Sequence, residues 1–240
     1  TERAVVVDVV GASGSGKSTL IERFVHEATA DGARVVVARC YERAHVPYKA
    51  LEEVVDALAE HVVRLGVPAD VWALARLFPS LGRVPEIAAA PAPPLDDGPE
   101  IRARAFAVLR ALLGRLAEER PLIVVIDDLQ WGDVDGAILL ASLVRPPRAP
   151  RLLLVVGYRE EDAARSACLG AWAEARVLAE ARRVRVGPLL HEEACRLARA
   201  LLPPDDARVD VVARDSAGSP FLLAELARAR PGGPAPSSID

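Results

Sequence analysis

The sequence predicts an α/β protein with a parallel five-stranded sheet, followed by a small C-terminal helical bundle. Short apolar, β-branched runs alternate with segments whose apolar residues recur at helical spacing, which is typical of right-handed β–α–β crossovers. A glycine-rich motif joins the first run to the first helical segment. After Pro188 the pattern changes, because three helical segments follow one another without a strand between them. The 240 residues, 51% of them hydrophobic, are enough for a large core.

The glycine-rich motif has the form G-x-x-x-x-G-K-[ST] and predicts a phosphate-binding loop. Its glycines allow a tight turn that brings backbone N–H groups close to an anion, and the following helix adds the positive end of its dipole. Lys17 is expected to reach the β- and γ-phosphates, and the Ser18 hydroxyl is expected to bind Mg²⁺. The predicted nucleotide-binding residues of this motif are Gly11, Ala12, Ser13, Gly14, Ser15, Gly16, Lys17, Ser18 and Thr19.

The strands and helices are predicted in order along the chain. Strands are predicted at residues 4–10, 33–40, 121–127, 151–157 and 183–186. Helices are predicted from residue 19 onward and at residues 47–65, 71–78, 101–119 and 133–144, the last with Asp133 as its N-cap. Residues 162–182 are predicted to be mostly helical, and the bundle to comprise residues 191–202, 205–216 and 220–229. Residues 85–99, rich in Pro, Gly and Asp, are predicted to form a mobile insertion.

Polar residues follow two of the predicted strands. Asp127, at the end of the third strand, is predicted to hold Mg²⁺, and Asp128 to orient or deprotonate an attacking water. Seen alone, this pair is also compatible with a simple turn at the start of a loop. Arg159 comes just past the fourth strand, and ligands bind at the carboxyl ends of parallel strands. It is expected either to contact the γ-phosphate or to pair on the surface with Glu160 or Asp162.

Four segments together resemble the AAA-type ATPase module of the STAND class, the signal-transduction ATPases with numerous domains. They are G-A-S-G-S-G-K-S, I-V-V-I-D-D-L-Q-W-G-D, V-V-G-Y-R-E and G-S-P-F-L-L-A-E-L. The resemblance implies a three-layer P-loop NTPase sandwich with strand order 5-1-4-3-2, and ATP or ADP with Mg²⁺ as its ligands. It also implies that Pro220, in the late G-x-P, lies near the base or ribose. A proline at the start of a helix needs no ligand, so the structural explanation stays open.

The resemblance also implies a domain organisation. Residues 1–188 are expected to form the ATPase core, residues 189–230 a helical lid and residues 231–240 a linker to other domains of a parent polypeptide. In this class an adenine-contacting helix precedes the first strand, and it is expected upstream of Thr1. Such modules occur in bacterial transcriptional regulators, in adenylate-cyclase-linked proteins and beside Ser/Thr protein kinase domains. Nucleotide-dependent self-association is a further expectation.

Composition argues against several other classes of function. The net charge of −4, with mixed signs, lacks the basic footprint of a nucleic-acid-binding protein. No apolar run approaches the roughly 20 residues that span a bilayer, so a cytoplasmic location is expected. The three cysteines are far apart and are expected to be free thiols. We expect the four histidines to form no H-x-x-x-H or Cys/His cluster, so no zinc site is predicted. The histidines are His26, His45, His61 and His191.

The sequence therefore favours a switch module that binds ATP and hydrolyses it slowly. Its predicted catalytic residues are Lys17, Asp128 and Arg159, and its predicted metal ligands are Ser18 and Asp127. One alternative is a nucleotide-binding scaffold without turnover, because an aspartate stands at position 128 where a glutamate would be the stronger base. Another is a small-molecule P-loop kinase, against which the lack of an Arg-rich lid at residues 85–99 argues.

Overall fold

The computed structural model describes residues 4–42, 47–94, 98–177 and 180–229. Within these ranges the strands are β1 Val5–Gly11, β2 Arg34–Arg39, β3 Leu122–Asp127, β4 Leu152–Arg159 and β5 Glu180–Arg185. The helices are α1 Lys17–Ala30, α2 Lys49–Leu65, α3 Val71–Leu77, α4 Pro85–Ala88, α5 Gly98–Glu119, α6 Val134–Val144, α7 Ala167–Ala175, α8 His191–Leu201, α9 Val209–Asp215 and α10 Pro220–Arg228. Two short 3₁₀ helices lie at Pro79–Arg83 and Leu129–Trp131.

The five strands form one parallel sheet in the order β2-β3-β4-β1-β5. This confirms the expected order 5-1-4-3-2 and the P-loop NTPase fold. Strand β4 lies between β1 and β3, so that Val156 of β4 pairs with Asp8 on one side and with Ile126 on the other. Because the strands run in the same direction, the loop after β1 and the carboxylates after β3 meet at one edge of the sheet.

Helices pack on both faces of the sheet, as the inner strand β3 shows. All six of its residues are buried. Val124 and Ile126 belong to the large core, which also contains side chains of α2, α3, α5 and α6. Val125 points to the opposite face, where it shares a second core with Ile21 of α1. Burying one such side chain contributes about 1.5–3 kcal/mol, so the apolar run that predicts this strand also stabilises the centre of the molecule.

The C-terminal helices α8, α9 and α10 surround a small core of their own, as predicted for residues after 188. Hydrogen bonds link the bundle to the segment before it, since Leu189 N donates to Gly218 O at 2.8 Å. The buried members of this core are Ala194, Cys195, Ala198, Leu202, Val212, Ala213 and Leu223. The predicted linker, residues 231–240, lies outside the described residues.

The prediction of a mostly helical segment at residues 162–182 is wrong. Helix α7 covers Ala167–Ala175, where the Ser166 hydroxyl accepts a hydrogen bond from Leu169 N as its N-cap, and residues 161–165 form turns. The polar sequence of β5 pairs with β1 from Glu180 onward, three residues earlier than expected. All six residues of β5 are exposed, among them Arg182, Arg183 and Arg185. The predicted strand at 183–186 therefore overlaps β5, and main-chain pairing to β1 extends it to residues whose polar sequence did not predict it.

The segment at residues 85–99 also differs from the predicted loop. Helix α4 forms at Pro85–Ala88 with Pro85 in its first turn, and Ile87 is buried in the large core. Helix α5 begins at Gly98, three residues before its predicted start. Residues 95–97 lie outside the described residues, and the predicted mobility of the segment stays a prediction. Among the helices of the described ranges, none has the length and apolar character that crossing a membrane requires.

Candidate functional site

The phosphate-binding loop connects β1 to α1 at the carboxyl edge of the sheet. Strand β1 ends at Gly11, and α1 begins at Lys17. Gly16, which directly precedes the helix, has φ 93°, a left-handed conformation that glycine adopts without strain. The tight turn that leads into the N-terminus of α1 is the local structure that the motif predicts.

Lys17 is buried beneath this loop. Its Nζ donates hydrogen bonds to Gly11 O at 2.9 Å and to Ala12 O at 2.8 Å. Burial lowers the pKa of Lys17, and the carboxylates of Glu161 and Asp127 oppose that shift. The ammonium group is therefore held at the loop by backbone carbonyls and by nearby negative charge.

Ser18 and Asp127 meet across the cleft. The Ser18 hydroxyl donates a hydrogen bond to Asp127 Oδ2 at 2.7 Å, and Asp127 Oδ1 accepts one from Asp128 N at 2.9 Å. Octahedral Mg²⁺ binds oxygen at about 2.0–2.1 Å, so two adjacent ligands lie about 2.9 Å apart. The hydroxyl and carboxylate oxygens therefore fit a shared Mg²⁺ in both chemistry and spacing.

Asp128 is held in place by two side chains. It has the left-handed conformation φ 56°, ψ 39°, which turns the chain sharply after β3. Its Oδ2 accepts hydrogen bonds from Arg39 Nε at 2.9 Å and Nη2 at 2.6 Å, and its Oδ1 accepts one from Gln130 Nε2 at 2.9 Å. Both carboxylate oxygens are thus engaged by neighbouring side chains.

Arg159 is the last residue of β4 and lines the same cleft as Lys17 and Asp128. Its guanidinium carbon lies 5.6 Å from the centroid of the Trp131 ring, a cation–π arrangement. Glu160, one of its expected surface partners, pairs with Arg185 instead, with Nε and Oε2 at 3.1 Å. Stacking on Trp131 keeps the positive charge at the edge where the phosphate loop lies.

Helix α10 reaches the phosphate loop from the C-terminal bundle. Ser219 Oγ donates to Gly14 O at 3.4 Å, and Phe221 N donates to the same oxygen at 3.3 Å. Pro220 lines the cleft of about 450 Å³ that also contains Lys17 and Ser18. The predicted contact of Pro220 with the base or ribose stays a prediction, and the structure places this residue in the wall of the cleft.

A second cavity of about 490 Å³ adjoins this cleft. It lies between the phosphate loop, the segment after β5 and the turn before α10. Its wall includes Ala12, Ser13, Val186, Gly187, Pro188, Gly218 and Ser219. The two spaces together provide room on both sides of the loop for a ligand longer than a phosphate chain.

A family model described as the AAA ATPase domain matches residues 2–156, more than half of the chain. The chain belongs to the AAA ATPase domain family. A comparison with the curated proteins found no match. The phosphate loop and the carboxylates of Asp127 and Asp128 both lie within the residues that the family model matches.

Solved structures share the fold of this AAA ATPase domain. The Walker-type ATPase PABY2304 of Pyrococcus abyssi is 16% identical, with a TM-score of 0.54 over 91% of this chain and 60% of that one. A STAND protein with a tetratricopeptide repeat sensor, PH0952 of Pyrococcus horikoshii, is also 16% identical, with a TM-score of 0.51 over 92% of this chain and 27% of that one. The chain thus spans less than two thirds of the length of either protein.

Sequence reasoning missed two charged residues of this AAA ATPase site. Arg39 ends β2 and is paired in register with Asp127, so the expected strand order would have brought it to the carboxylates. Glu161 follows β4, and its Oε1 accepts a hydrogen bond from Ser13 N at 2.8 Å. Burial raises the pKa of Glu161, but hydrogen bonds from backbone N–H groups outweigh this and lower it overall. A carboxylate therefore already lies on one of the anion-binding amides.

The expectation that histidine and cysteine form no cluster is wrong. On α8, His191 and Cys195 are one turn apart, and Asp210 of α9 lies against them. His45 lies outside the described residues. The expected free thiols are confirmed, since Cys40, Cys168 and Cys195 are unpaired and buried.

Proposed function

We propose that this AAA ATPase domain is an ATP-binding, Mg²⁺-dependent switch that hydrolyses ATP slowly within a larger signalling or regulatory protein. The observation that carries the proposal is the 2.7 Å contact between Ser18 Oγ and Asp127 Oδ2 beside the phosphate loop. Membership of the AAA ATPase domain family supports ATP as the nucleotide. The net charge of −4 and the small cleft give no support to a nucleic-acid ligand.

The nucleotide would occupy both spaces around the phosphate loop. Its phosphates would lie in the cleft with Lys17, where backbone N–H groups and the N-terminus of α1 favour anions. Its base and ribose would extend into the cavity next to Gly187 and Ser219. Glu161 would leave the Ser13 amide as the phosphates arrive, because two anions cannot share one donor.

Hydrolysis would use the residues at the ends of β3 and β4. When bound by Ser18 and Asp127, Mg²⁺ offsets charge on the phosphates. Asp128 would orient a water for in-line attack on the γ-phosphorus, and Lys17 and Arg159 would stabilise charge as the bond to the departing ADP breaks. Both oxygens of Asp128 already accept hydrogen bonds, two of them from Arg39 at Oδ2, and these restrain the carboxylate, which favours slow turnover.

The switch would operate through the C-terminal helices. Ser219 and Phe221 contact Gly14 within the phosphate loop, so a bound phosphate would alter how α10 is held. We propose that residues 1–188 form the core, residues 189–230 the lid and residues 231–240 a linker to other domains. We further propose a cytoplasmic location, a bacterial signal-transduction role and nucleotide-dependent self-association, based on the sequence resemblance to the STAND class.

A scaffold that binds nucleotide without turnover is the second candidate. The contacts of Asp128 with Arg39 and Gln130 favour it, because they occupy the carboxylate that would otherwise bind the attacking water. This candidate shares the phosphate loop and the Mg²⁺ ligands with the first. Only turnover separates the two.

The test measures ATP and ADP affinity and phosphate release, with and without Mg²⁺. Lys17→Ala is expected to abolish release and to weaken nucleotide binding. Asp128→Asn is expected to lower phosphate release by at least about 100-fold while binding is retained. Lys49→Ala is the matched control, because Lys17 and Lys49 are the two lysines of the chain and Lys49 lies on α2, paired with Glu52.

Tight binding without phosphate release, in the wild type as well as in Asp128→Asn, would establish the scaffold. If neither ATP nor ADP raises the melting temperature of the wild-type protein, both candidate functions are overturned. If ATP loses its γ-phosphate only when a metabolite is added, the protein is a small-molecule kinase instead.

A further inference from the structure

Three potential metal ligands converge on the C-terminal bundle, away from the phosphate loop. His191 is the first residue of α8, Cys195 follows one turn later, and Asp210 lies in the first turn of α9. His191 Nε2 lies 3.1 Å from Asp210 Oδ1 and 3.6 Å from Cys195 Sγ. One atom from each residue lies within 4.8 Å of the other two, so the three surround a single point.

Two of the three distances between ligand atoms match those of a tetrahedral zinc site, and the third is within 4.8 Å. Zinc binds histidine nitrogen at about 2.0–2.1 Å, carboxylate oxygen at about 2.0–2.2 Å and cysteine sulfur at about 2.3 Å. Nitrogen and sulfur on neighbouring tetrahedral positions are then about 3.5 Å apart, and nitrogen and oxygen about 3.4 Å. The observed 3.6 Å and 3.1 Å are within a few tenths of an ångström of these values.

The surroundings support a divalent cation at this point. A bound cation would meet two negative charges, the thiolate of Cys195 and the carboxylate of Asp210. Arg214 donates a hydrogen bond to Asp210 Oδ2, which leaves Oδ1 directed at the histidine. Glu192 and Glu193, in the first turn of α8, offset the positive end of that helix dipole.

We propose that His191, Cys195 and Asp210 bind a zinc ion that joins α8 to α9. Thiolate and imidazole ligands select a borderline-soft metal, unlike the oxygen ligands Ser18 and Asp127, which suit Mg²⁺. Three protein ligands leave the fourth position to a water molecule. Cys195 would bind the metal as a thiolate, and its thiol proton would pass to solvent.

The joined helices belong to the bundle that reaches the phosphate loop. Helices α8 and α9 share a core with Leu223 of α10, the helix that contacts Gly14. A metal that holds α8 to α9 therefore stiffens the support of α10. The site is independent of the proposed ATPase activity, because none of its ligands lines the nucleotide cleft.

The experiment titrates the nucleotide-free full chain with Zn²⁺ and with Co²⁺ while excess Mg²⁺ occupies the oxygen ligands of the cleft. One zinc ion per chain is expected to bind, and Co²⁺ is expected to produce a thiolate charge-transfer band and the intense visible bands of a tetrahedral site. Mutating a residue that only orients a metal ligand typically lowers metal affinity by about 10–100-fold, and removing a ligand itself is expected to cost at least as much. Cys195→Ser, His191→Ala and Asp210→Asn are therefore each expected to weaken zinc binding by at least about 100-fold.

Matched controls replace exposed residues of the same type elsewhere, His26→Ala on α1 and Asp215→Asn on α9. Both are expected to bind zinc like the wild type. His191 and Asp210 have side chains more than half exposed, so their variants are expected to fold. Co²⁺ spectra without a thiolate band, or zinc affinity unchanged in Cys195→Ser and His191→Ala, would overturn the proposal.

Discussion

Arg39 is the residue on which the proposed slow turnover depends. It holds Asp128 Oδ2 through two charge-assisted hydrogen bonds. Arg39→Ala is expected to free that oxygen for water and to raise phosphate release roughly tenfold, the effect of about 1.4 kcal/mol on the barrier. Nucleotide affinity is expected to change little, and steady-state kinetics separates the two effects.

Arg23→Ala is the control for loss of an arginine, since Arg23 forms an exposed pair with Glu27 on α1. Its phosphate release is expected to equal that of the wild type. If Arg39→Ala lowers phosphate release, Arg39 positions Asp128 for catalysis and does not restrain it.

Gly157 provides the space that Asp127 occupies. A Cβ atom at this position would lie 2.4 Å from Asp127 Oδ1 and 2.9 Å from Ile21 Cδ1. Gly157→Ala is therefore expected to displace the carboxylate, to weaken Mg²⁺-dependent nucleotide binding and to lower the free energy of unfolding by about 1–3 kcal/mol. Calorimetric titration and urea unfolding measure the two effects.

Gly170→Ala is the matched control within α7, where an added Cβ meets open space. It is expected to raise the free energy of unfolding by about 0.5–1 kcal/mol, because alanine favours the helix interior. Mg²⁺-dependent binding that is unchanged in Gly157→Ala would show that Asp127 tolerates the displacement.

At the scale of the elements, Glu119 joins three parts of the chain. It ends α5, and its carboxylate accepts hydrogen bonds from Arg64 of α2 at 2.7 and 2.8 Å and from Arg34 of β2 at 3.2 Å. The two hydrogen bonds from Arg64, followed by the one from Arg34, lower the pKa of Glu119 from 4.5 to about 2. Since the folded pKa is depressed, the stabilisation is present above pH 4.5 and is lost as the pH falls towards 2.

Glu119→Gln is accordingly expected to destabilise the protein at pH 7 and to have a much smaller effect near pH 2. Urea unfolding across this range measures the difference. Glu118→Gln, at the exposed neighbouring position, is the control and is expected to have little effect at either pH. If Glu119→Gln destabilises the protein equally at pH 7 and near pH 2, the lowered pKa of Glu119 does not contribute to stability.

The elements also show what the sequence predicts and what it does not. Ser18 and Asp127 were predictable because a local motif and an apolar strand place them at the same sheet edge. Asp210 was not, because its approach to His191 depends on how α9 packs against α8. The first three residues of β5 were assigned to a helix, because the pairing of this polar strand with β1 is non-local. Local patterns thus identify the phosphate loop, while contacts between elements supply its charged neighbours.

At the scale of the whole molecule, the sheet and the C-terminal bundle meet at Gly14. If nucleotide binding strengthens that contact, amide hydrogens of α10 are expected to exchange more slowly in the presence of Mg²⁺ and ATP. Hydrogen exchange followed by mass spectrometry measures this, with α5 as the internal control because it lies away from the cleft. Exchange in α10 that is the same with and without nucleotide would show that the bundle does not respond to the ligand.

The arginines of β5 have a consequence for solubility. Backbone groups along an outer strand can pair with a strand of another molecule, and charged side chains discourage such aggregation. β5 lies at one end of the sheet and carries Arg182, Arg183 and Arg185, whose exposed charged side chains would have to lose water if another strand paired with this edge. The polar composition of this edge strand therefore opposes edge-to-edge aggregation.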